Sequence, residues 1–260
     1  MALPGYAEFF REAAAVAARE GLPRFRTGVS VDNKLDAGFD PVTEADRAIE
    51  RAIRDLIGKA YPGHGILGEE EGAEGLDREH VWVLDPIDGT RAFISGLPVW
   101  GTLLGLTRDG DAVAGMMAQP FTGELYYGDA TGAHYEGPGG ARQLKTRPTG
   151  SLGEATLFTT SPALYAGDKR RGYDRLEAAI RLPRYGTDCY AFAMVAAGHA
   201  DFACECGLKP YDIVGLIPII EQAGGIVTRW DGGPAETGGD ILASGNPALH
   251  EQALALLNGA

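Results

Sequence analysis

The stretch "VWVLDPIDGT", residues 81–90, constrains the fold more than any other part of the chain. Val81 to Leu84 show little apolar–polar alternation, so the segment reads as a strand covered on both faces. Such a strand requires a layered arrangement with packed elements on each side. It ends on two carboxylates, Asp85 and Asp88, separated by a proline and an isoleucine. Gly89 then lets the backbone approach closely, and N–H groups opening a helix after the turn would suit a phosphate. D-P-x-D-G is also ordinary turn chemistry, so a cation site needs further acids.

The chain supplies them at element ends and on inward faces. "PVTEADRAIERAIRDLIGKA" has the pattern of an amphipathic helix, with Thr43 as cap and Asp46 three residues on, as in a capping box. Its apolar stripe runs through Ile49, Ile53, Leu56/Ile57 and Ala60, which places Arg47, Glu50, Arg51 and Arg54 on the other face. Asp46 falls on the inward stripe, where an acid needs a partner. Glu69 ends the short strand of "GILGEEEG", and Asp212 opens the helical stretch "PYDIVGLIPIIEQAGG", residues 210–225. Taken singly, the glutamates read as a solvated loop and Asp212 as a complement to its helix dipole. Together, Asp46, Glu69, Asp85, Asp88 and Asp212, with the Ile87 carbonyl, make an oxygen donor set of the kind hard divalent cations prefer. Without a cation such acids would repel one another.

Net charge narrows the partners. The formal charge of −13 argues against nucleic acid and anionic membranes, which demand Lys/Arg footprints. A phosphorylated small molecule stays possible if bound cations supply positive charge. No apolar run reaches the ~20 residues of a membrane span. The first twenty residues have no basic start, apolar core or cleavage site, so a cytoplasmic protein is expected. Cys189, Cys204 and Cys206 are odd in number and lack zinc-site spacing, and are expected to be small, buried, reduced thiols. The five histidines, His64, His80, His134, His199 and His250, are scattered through loop-like and helix-surface surroundings and suggest no nucleophile.

Residues 98–137 carry short β-prone runs punctuated by "RDGD", "PFTG" and "DATG", which predicts an antiparallel meander. A Gly/Pro-rich stretch follows. It marks an expected boundary near residue 145, dividing an N-terminal α+β part (1–145) from a C-terminal α/β part (146–260) of alternating helices and strands.

"DPVTEAD", "GEE", "WVLDPIDGTRAF" and "LKPYDIVGLIPIIEQAGG", in this order, resemble the motifs of the inositol monophosphatase family of Mg²⁺-dependent, lithium-sensitive phosphatases. "VDNKLDAGFDPVTEADRAIE" and "TRAFISGLPVWGTL" look more narrowly like its histidinol-phosphate phosphatase branch. Ala92 and Tyr211 stand where inositol phosphatases usually have Asn and Trp. The resemblance implies a layered αβαβα sandwich with the site between its halves. It implies one Mg²⁺ on Glu69, Asp85 and the Ile87 carbonyl, a second on Asp85, Asp88 and Asp212, and a weaker third near Glu69. Mn²⁺ would substitute, and Li⁺ or Ca²⁺ would inhibit. Gly89 and Thr90 would hold phosphate beside Asp88, and Thr90, oriented by Asp46, would help activate water together with Glu69. Glu205 and Asp188 would contact the leaving group, with Arg91 and Lys34 nearby, although Asp188 reads equally as a helix cap and Arg91 as a solvated side chain. A homodimer is implied. Inositol, sugar or nucleotide phosphates are alternative substrates, and a non-catalytic Mg²⁺-binding regulator is an alternative of another class.

Overall fold

The computed structural model describes residues 5–27, 31–33 and 41–259, so Lys34 lies outside it. Helix α1 (Ala7–Gly21) and a ribbon of β1 (Val31–Asn33) and β2 (Pro41–Thr43) lead into helix α2 (Glu44–Ala60). Next come β3 (Gly65–Gly68), β4 (Ala73–Glu74), β5 (His80–Asp88) and the short helix α3 (Thr90–Ile94). The meander is β6 (Gly101–Arg108), β7 (Asp111–Gln119), β8 (Glu124–Asp129), β9 (Gly132–Glu136) and β10 (Arg142–Gln143). Alternation begins with β11 (Thr156–Thr159), α4 (Gly167–Ala179), β12 (Leu182–Tyr185) and α5 (Tyr190–Ala196). It continues through β13 (Phe202–Leu208), α6 (Pro210–Ile213), α7 (Ile217–Gln222), β14 (Ile226–Arg229), β15 (Gly239–Ser244) and α8 (Pro247–Asn258).

Two sheets organise these elements, an eight-stranded one ordered β10-β9-β8-β7-β6-β5-β3-β4 and a five-stranded one ordered β12-β11-β13-β15-β14. The apolar stripe of α2 does what its spacing predicts. Ile49, Ile53 and Ile57 are buried with Phe10 of α1 against Trp82, Leu84 and Leu104 of the larger sheet. Between the sheets, Phe192 of α5 and Ile219 and Ile220 of α7 meet Leu103 and Met117 on one side and Ala203 and Ile241 on the other. Outside the smaller sheet, Tyr173 and Leu176 of α4 and Leu249 of α8 cover Leu157, Phe202 and Leu242. The layers therefore run α, β, α, β, α, as the resemblance implied. Among the described residues, no helix is long and apolar enough to cross a membrane.

The stretch 210–225 is not the single helix its sequence predicts, because Val214–Leu216 separates α6 from α7. The cause lies in the sheet beneath. Gly105, Gly115 and Gly128 stand in register across β6, β7 and β8. A Cβ on any of the three would run into the backbone of Val214–Gly215 or of Pro218–Ile219. The segment lies in backbone contact with this glycine row, closer than a helix carrying side chains all round can come. Pro218, in the first turn of α7, restarts the helix where its missing N–H costs nothing.

Candidate metal centre

Strand β5 answers why two aspartates share its end. Trp82 and Leu84 face the α1–α2 layer, so strict alternation would send Asp88 to the same face. Instead Asp85 pairs with Leu103 and Asp88 with Gly101, three steps along β5 against two along β6. That β-bulge shifts the parity of the strand. Ile87, 1% exposed, takes the place among the apolar residues, and Asp88 joins Asp85 on the opposite face. Pro86 tolerates the bulge because it has no N–H to lose, and its carbonyl accepts from Thr102 Oγ1 at 2.8 Å. Asp212 arrives from the first turn of α6. One carboxylate oxygen from each of Asp85, Asp88 and Asp212 then lies within 4.8 Å of the others.

Backbone N–H groups hold two of these carboxylates, one from a distant segment and one from the residue that opens α6. Cys189 N donates to Asp88 Oδ2 at 2.7 Å, and Lys209 N donates to Asp212 Oδ2 at 2.7 Å. Asp85 is 2% exposed, and its Oδ1 has no hydrogen-bond partner among the described residues. Burial, and then the charges of Glu69 and Asp88, push the Asp85 carboxyl well above the usual range. Burial and Asp212 do the same to Asp88. Burial, with Glu69 adding, pushes Asp212 up to about 6. Carboxylates crowded in this way resist ionising until a cation joins them. The orphaned Asp85 oxygen, the short mutual distances and the all-oxygen donors fit a hard divalent cation.

The other expected residues fall around this cluster. Glu69 follows β3, its N–H donating to the Leu84 carbonyl at 3.2 Å, which sets it beside Asp85. Gly89 has φ 82° and opens α3. The space its Cβ would occupy is walled by the Asp188 side chain, 3.1 Å away. Thr90 Oγ1 donates to the Ile87 carbonyl at 3.1 Å. Asp46 is fully buried, and its Oδ2 accepts from Thr43 N at 2.8 Å and Thr43 Oγ1 at 2.6 Å, so the capping box forms. The partner of Asp46 is thus Thr43 and not Thr90. Its Oδ1 is left with no hydrogen-bond partner among the described residues, and burial pushes its carboxyl up to about 6.

Asp188 and Glu205 form a second acidic group next to the first. Asp188 has φ 43°, the left-handed conformation that costs a side-chain-bearing residue ~1 kcal/mol or more. It does not cap α5: the N-cap is Cys189, and no side chain accepts there. Its carboxylate rests against Gly89 instead, pushed up to about 6 by burial and drawn back by the nearby Arg91 guanidinium, itself exposed. Glu205, 4% exposed, shares the inter-sheet face of β13 with Ala203 and accepts from Thr160 N. Burial, with Asp188 adding, pushes it up to about 8.

Several residues lie elsewhere than the sequence suggests. Glu50, placed on the polar face of α2, is fully buried beneath the glutamate loop. Its i,i+4 spacing to Arg54 was the one available sign. Cys189 is buried as expected, yet its N–H is what holds Asp88. His80 and His134 lie in strands, and His250 is 2% exposed between Ser244 and Thr228 rather than on a helix surface. Cys189, Cys204 and Cys206 are all free thiols, Cys206 only half-buried.

A carboxylate cation centre set between two sheets, beside a glycine-led helix N-terminus, defines a class: metal-dependent phosphomonoester hydrolases. Comparison with known proteins agrees, and the chain belongs to the inositol monophosphatase family, whose profile matches residues 5–260. That family is Mg²⁺-dependent. The chain is 39% identical over 241 residues to a bifunctional chloroplast phosphatase of Arabidopsis thaliana, covering 88% of this chain and 68% of that protein. It is 34% identical over 243 residues to a histidinol-phosphatase of Mycobacterium tuberculosis, covering 91% and 92%. The solved inositol monophosphatase of Zymomonas mobilis superposes with a TM-score of 0.85 at 37% identity, covering 98% and 99%.

Proposed function

We propose that this chain hydrolyses L-histidinol phosphate to L-histidinol and phosphate, acting in the cytoplasm as a homodimer, with residues 1–145 supplying most cation ligands and 146–260 supplying Asp212 and the leaving-group contacts. The observation that carries the substrate is the second acidic group. Asp188 stands against Gly89 and Glu205 lies near enough to feel its charge, and neither belongs to the cluster of Asp85, Asp88 and Asp212. Histidinol phosphate brings an ammonium group and an imidazole, both of which donate well to carboxylates. Burial holds Glu205 up at about 8 and Asp188 at about 6, and a cationic leaving group would favour the charged form of each. Relatives named histidinol-phosphatase support the same choice.

In this proposal Glu69, Asp85 and the Ile87 carbonyl hold one Mg²⁺, and Asp85, Asp88 and Asp212 a second. When bound, such cations lower the pKa of water and stabilise the leaving oxygen. The chain's own groups do the positioning. The N–H groups of Gly89 and Thr90 hold phosphate at the opening of α3. Asp46, whose Oδ1 has no hydrogen-bond partner among the described residues, would accept a proton from water, or from the Thr90 hydroxyl once that hydroxyl turns away from the Ile87 carbonyl.

The test is phosphate release with Mg²⁺ from histidinol phosphate, inositol 1-phosphate, fructose 1,6-bisphosphate and adenosine 3′,5′-bisphosphate, compared as kcat/KM. A preference of a hundredfold or more for histidinol phosphate, about 2.7 kcal/mol, is expected. Similar rates on all four would withdraw the substrate and leave a broad phosphomonoesterase. Inositol phosphate is the second reading, favoured by the likeness to the Zymomonas mobilis enzyme, since carboxylates also accept from sugar hydroxyls.

A further inference from the structure

Glu50 is a charge buried where α2 should be solvated. Its side chain is 0% exposed, and three donors meet its carboxylate. Glu70 N donates to Oε2 at 2.8 Å, and Glu71 N and Arg54 Nε both donate to Oε1 at 2.9 Å. Arg54 also reaches the Gly72 carbonyl, and Gly68 N closes the loop by donating to that carbonyl at 2.9 Å. Gly68 is glycine because a Cβ there would overlap the Glu50 carboxylate. Residues 68–72 are therefore wrapped around one buried carboxylate. Glu69 sits inside the wrap, between Gly68 and the pinned N–H of Glu70.

We propose that Glu50 is a positioning residue for Glu69. By holding the Glu70 and Glu71 N–H groups it sets where the Glu69 carboxylate stands against Asp85, and through it the affinity for the divalent cation. This rests on the assignment of Glu69 as a cation ligand. A buried carboxylate with three donors is well compensated, and its loss falls on the loop. In Glu50→Gln one oxygen becomes an amide NH₂, which cannot accept. Either Glu70 N or Glu71 N then loses its acceptor, and Arg54 keeps only the more distant Glu71 carboxylate, 3.9 Å away. The loop relaxes, and Glu69 moves with it. Groups that orient metal ligands alter metal affinity by about ten- to a hundredfold when removed.

The experiment titrates Mg²⁺ against the full-length wild type, Glu50→Gln, Glu69→Gln and the double variant. It reads p-nitrophenyl phosphate hydrolysis, Mg²⁺ binding by calorimetry, and Tm in EDTA. Glu50→Gln is expected to raise the half-saturating Mg²⁺ concentration about ten- to a hundredfold, with kcat at saturating Mg²⁺ within about threefold of wild type. The double variant is expected to match Glu69→Gln alone in Mg²⁺ dependence, as two residues acting through one contact must. Glu50→Asp, which keeps the charge and withdraws the carboxylate by one methylene, is expected to shift Mg²⁺ dependence the same way should Glu50→Gln not fold. A fall in Tm with wild-type Mg²⁺ dependence would reduce Glu50 to a structural anchor and overturn the proposal. Multiplying penalties in the double variant would overturn it too. Wild-type Mg²⁺ binding in Glu69→Gln would instead remove the ligand assignment beneath it.

Discussion

A methyl group at Gly115 should both loosen the protein and weaken its hold on Mg²⁺. The Cβ of Gly115→Ala would lie 2.7 Å from the Gly215 carbonyl carbon and 2.9 Å from its Cα. Carbon atoms in contact sit about 3.5–4.0 Å apart, so the α6–α7 segment must lift by about 1 Å. Overpacking of this kind costs ~1–3 kcal/mol, and the upper end applies because backbone faces backbone and no side chain can turn aside. Asp212 lies three residues before Gly215 and is carried away from Asp85 and Asp88, for an expected tenfold or greater rise in the Mg²⁺ needed for half-maximal activity. Gly128→Ala is the control. It meets Pro218 and Ile219, further along the chain from Asp212, so its stability loss should be similar and its Mg²⁺ effect smaller. Guanidinium unfolding in EDTA gives the first quantity and a Mg²⁺ titration of phosphatase activity the second. A Gly115→Ala protein with the wild-type unfolding midpoint would refute the contact. Equal Mg²⁺ dependence in the two variants would refute its link to the metal centre.

Asp88→Asn should lower turnover by orders of magnitude with the fold intact. The amide oxygen can still accept from Cys189 N, while the NH₂ faces the cluster where a charge was needed; wild-type rates in a steady-state assay would exclude Asp88 as a ligand. Mg²⁺ should raise the Tm over EDTA, by about 2.7 kcal/mol of stability at a hundred times its Kd, with Li⁺ and Ca²⁺ inhibiting turnover; no thermal shift in any concentration range would contradict a cation centre. His250 gives a pH effect whose sign is fixed by burial, which lowers its pKa from 6.5 to about 4. Between those values the unfolded chain binds a proton that the folded one lacks, so this contribution is intact above 6.5 and is lost as pH falls, by about 3 kcal/mol at pH 4. Denaturation of wild type and His250→Gln across pH 4–7.5, both with Mg²⁺, should show the steeper acid loss in wild type; parallel curves would mean that His250 is not buried neutral.

The helices, the meander and the covered strand were legible in the sequence because they follow from neighbouring residues. Ile49, Ile53 and Ile57 recur at the helical period, Thr43 and Asp46 cap that helix, and turn residues punctuate residues 98–137. Identities carried the acids as well: Glu69, Asp85, Asp88 and Asp212 each stood out at the end of an element. Their convergence was not legible from periodicity. A strict two-residue alternation would have placed Asp85 and Asp88 on opposite faces, and only pairing with β6 reveals the bulge that joins them. Glu50 has the spacing of a solvated residue, and it is buried because a loop twenty residues later folds over it. The apparent single helix at 210–225 breaks because glycines from three distant strands line up beneath it. Local pattern determined which elements form and which acids end them, since those preferences act within a turn or a strand. Which face each acid meets, and which buried group holds it, was decided by contacts between segments a hundred residues apart, such as Cys189 N on Asp88, whose partners exist only once both sheets are packed.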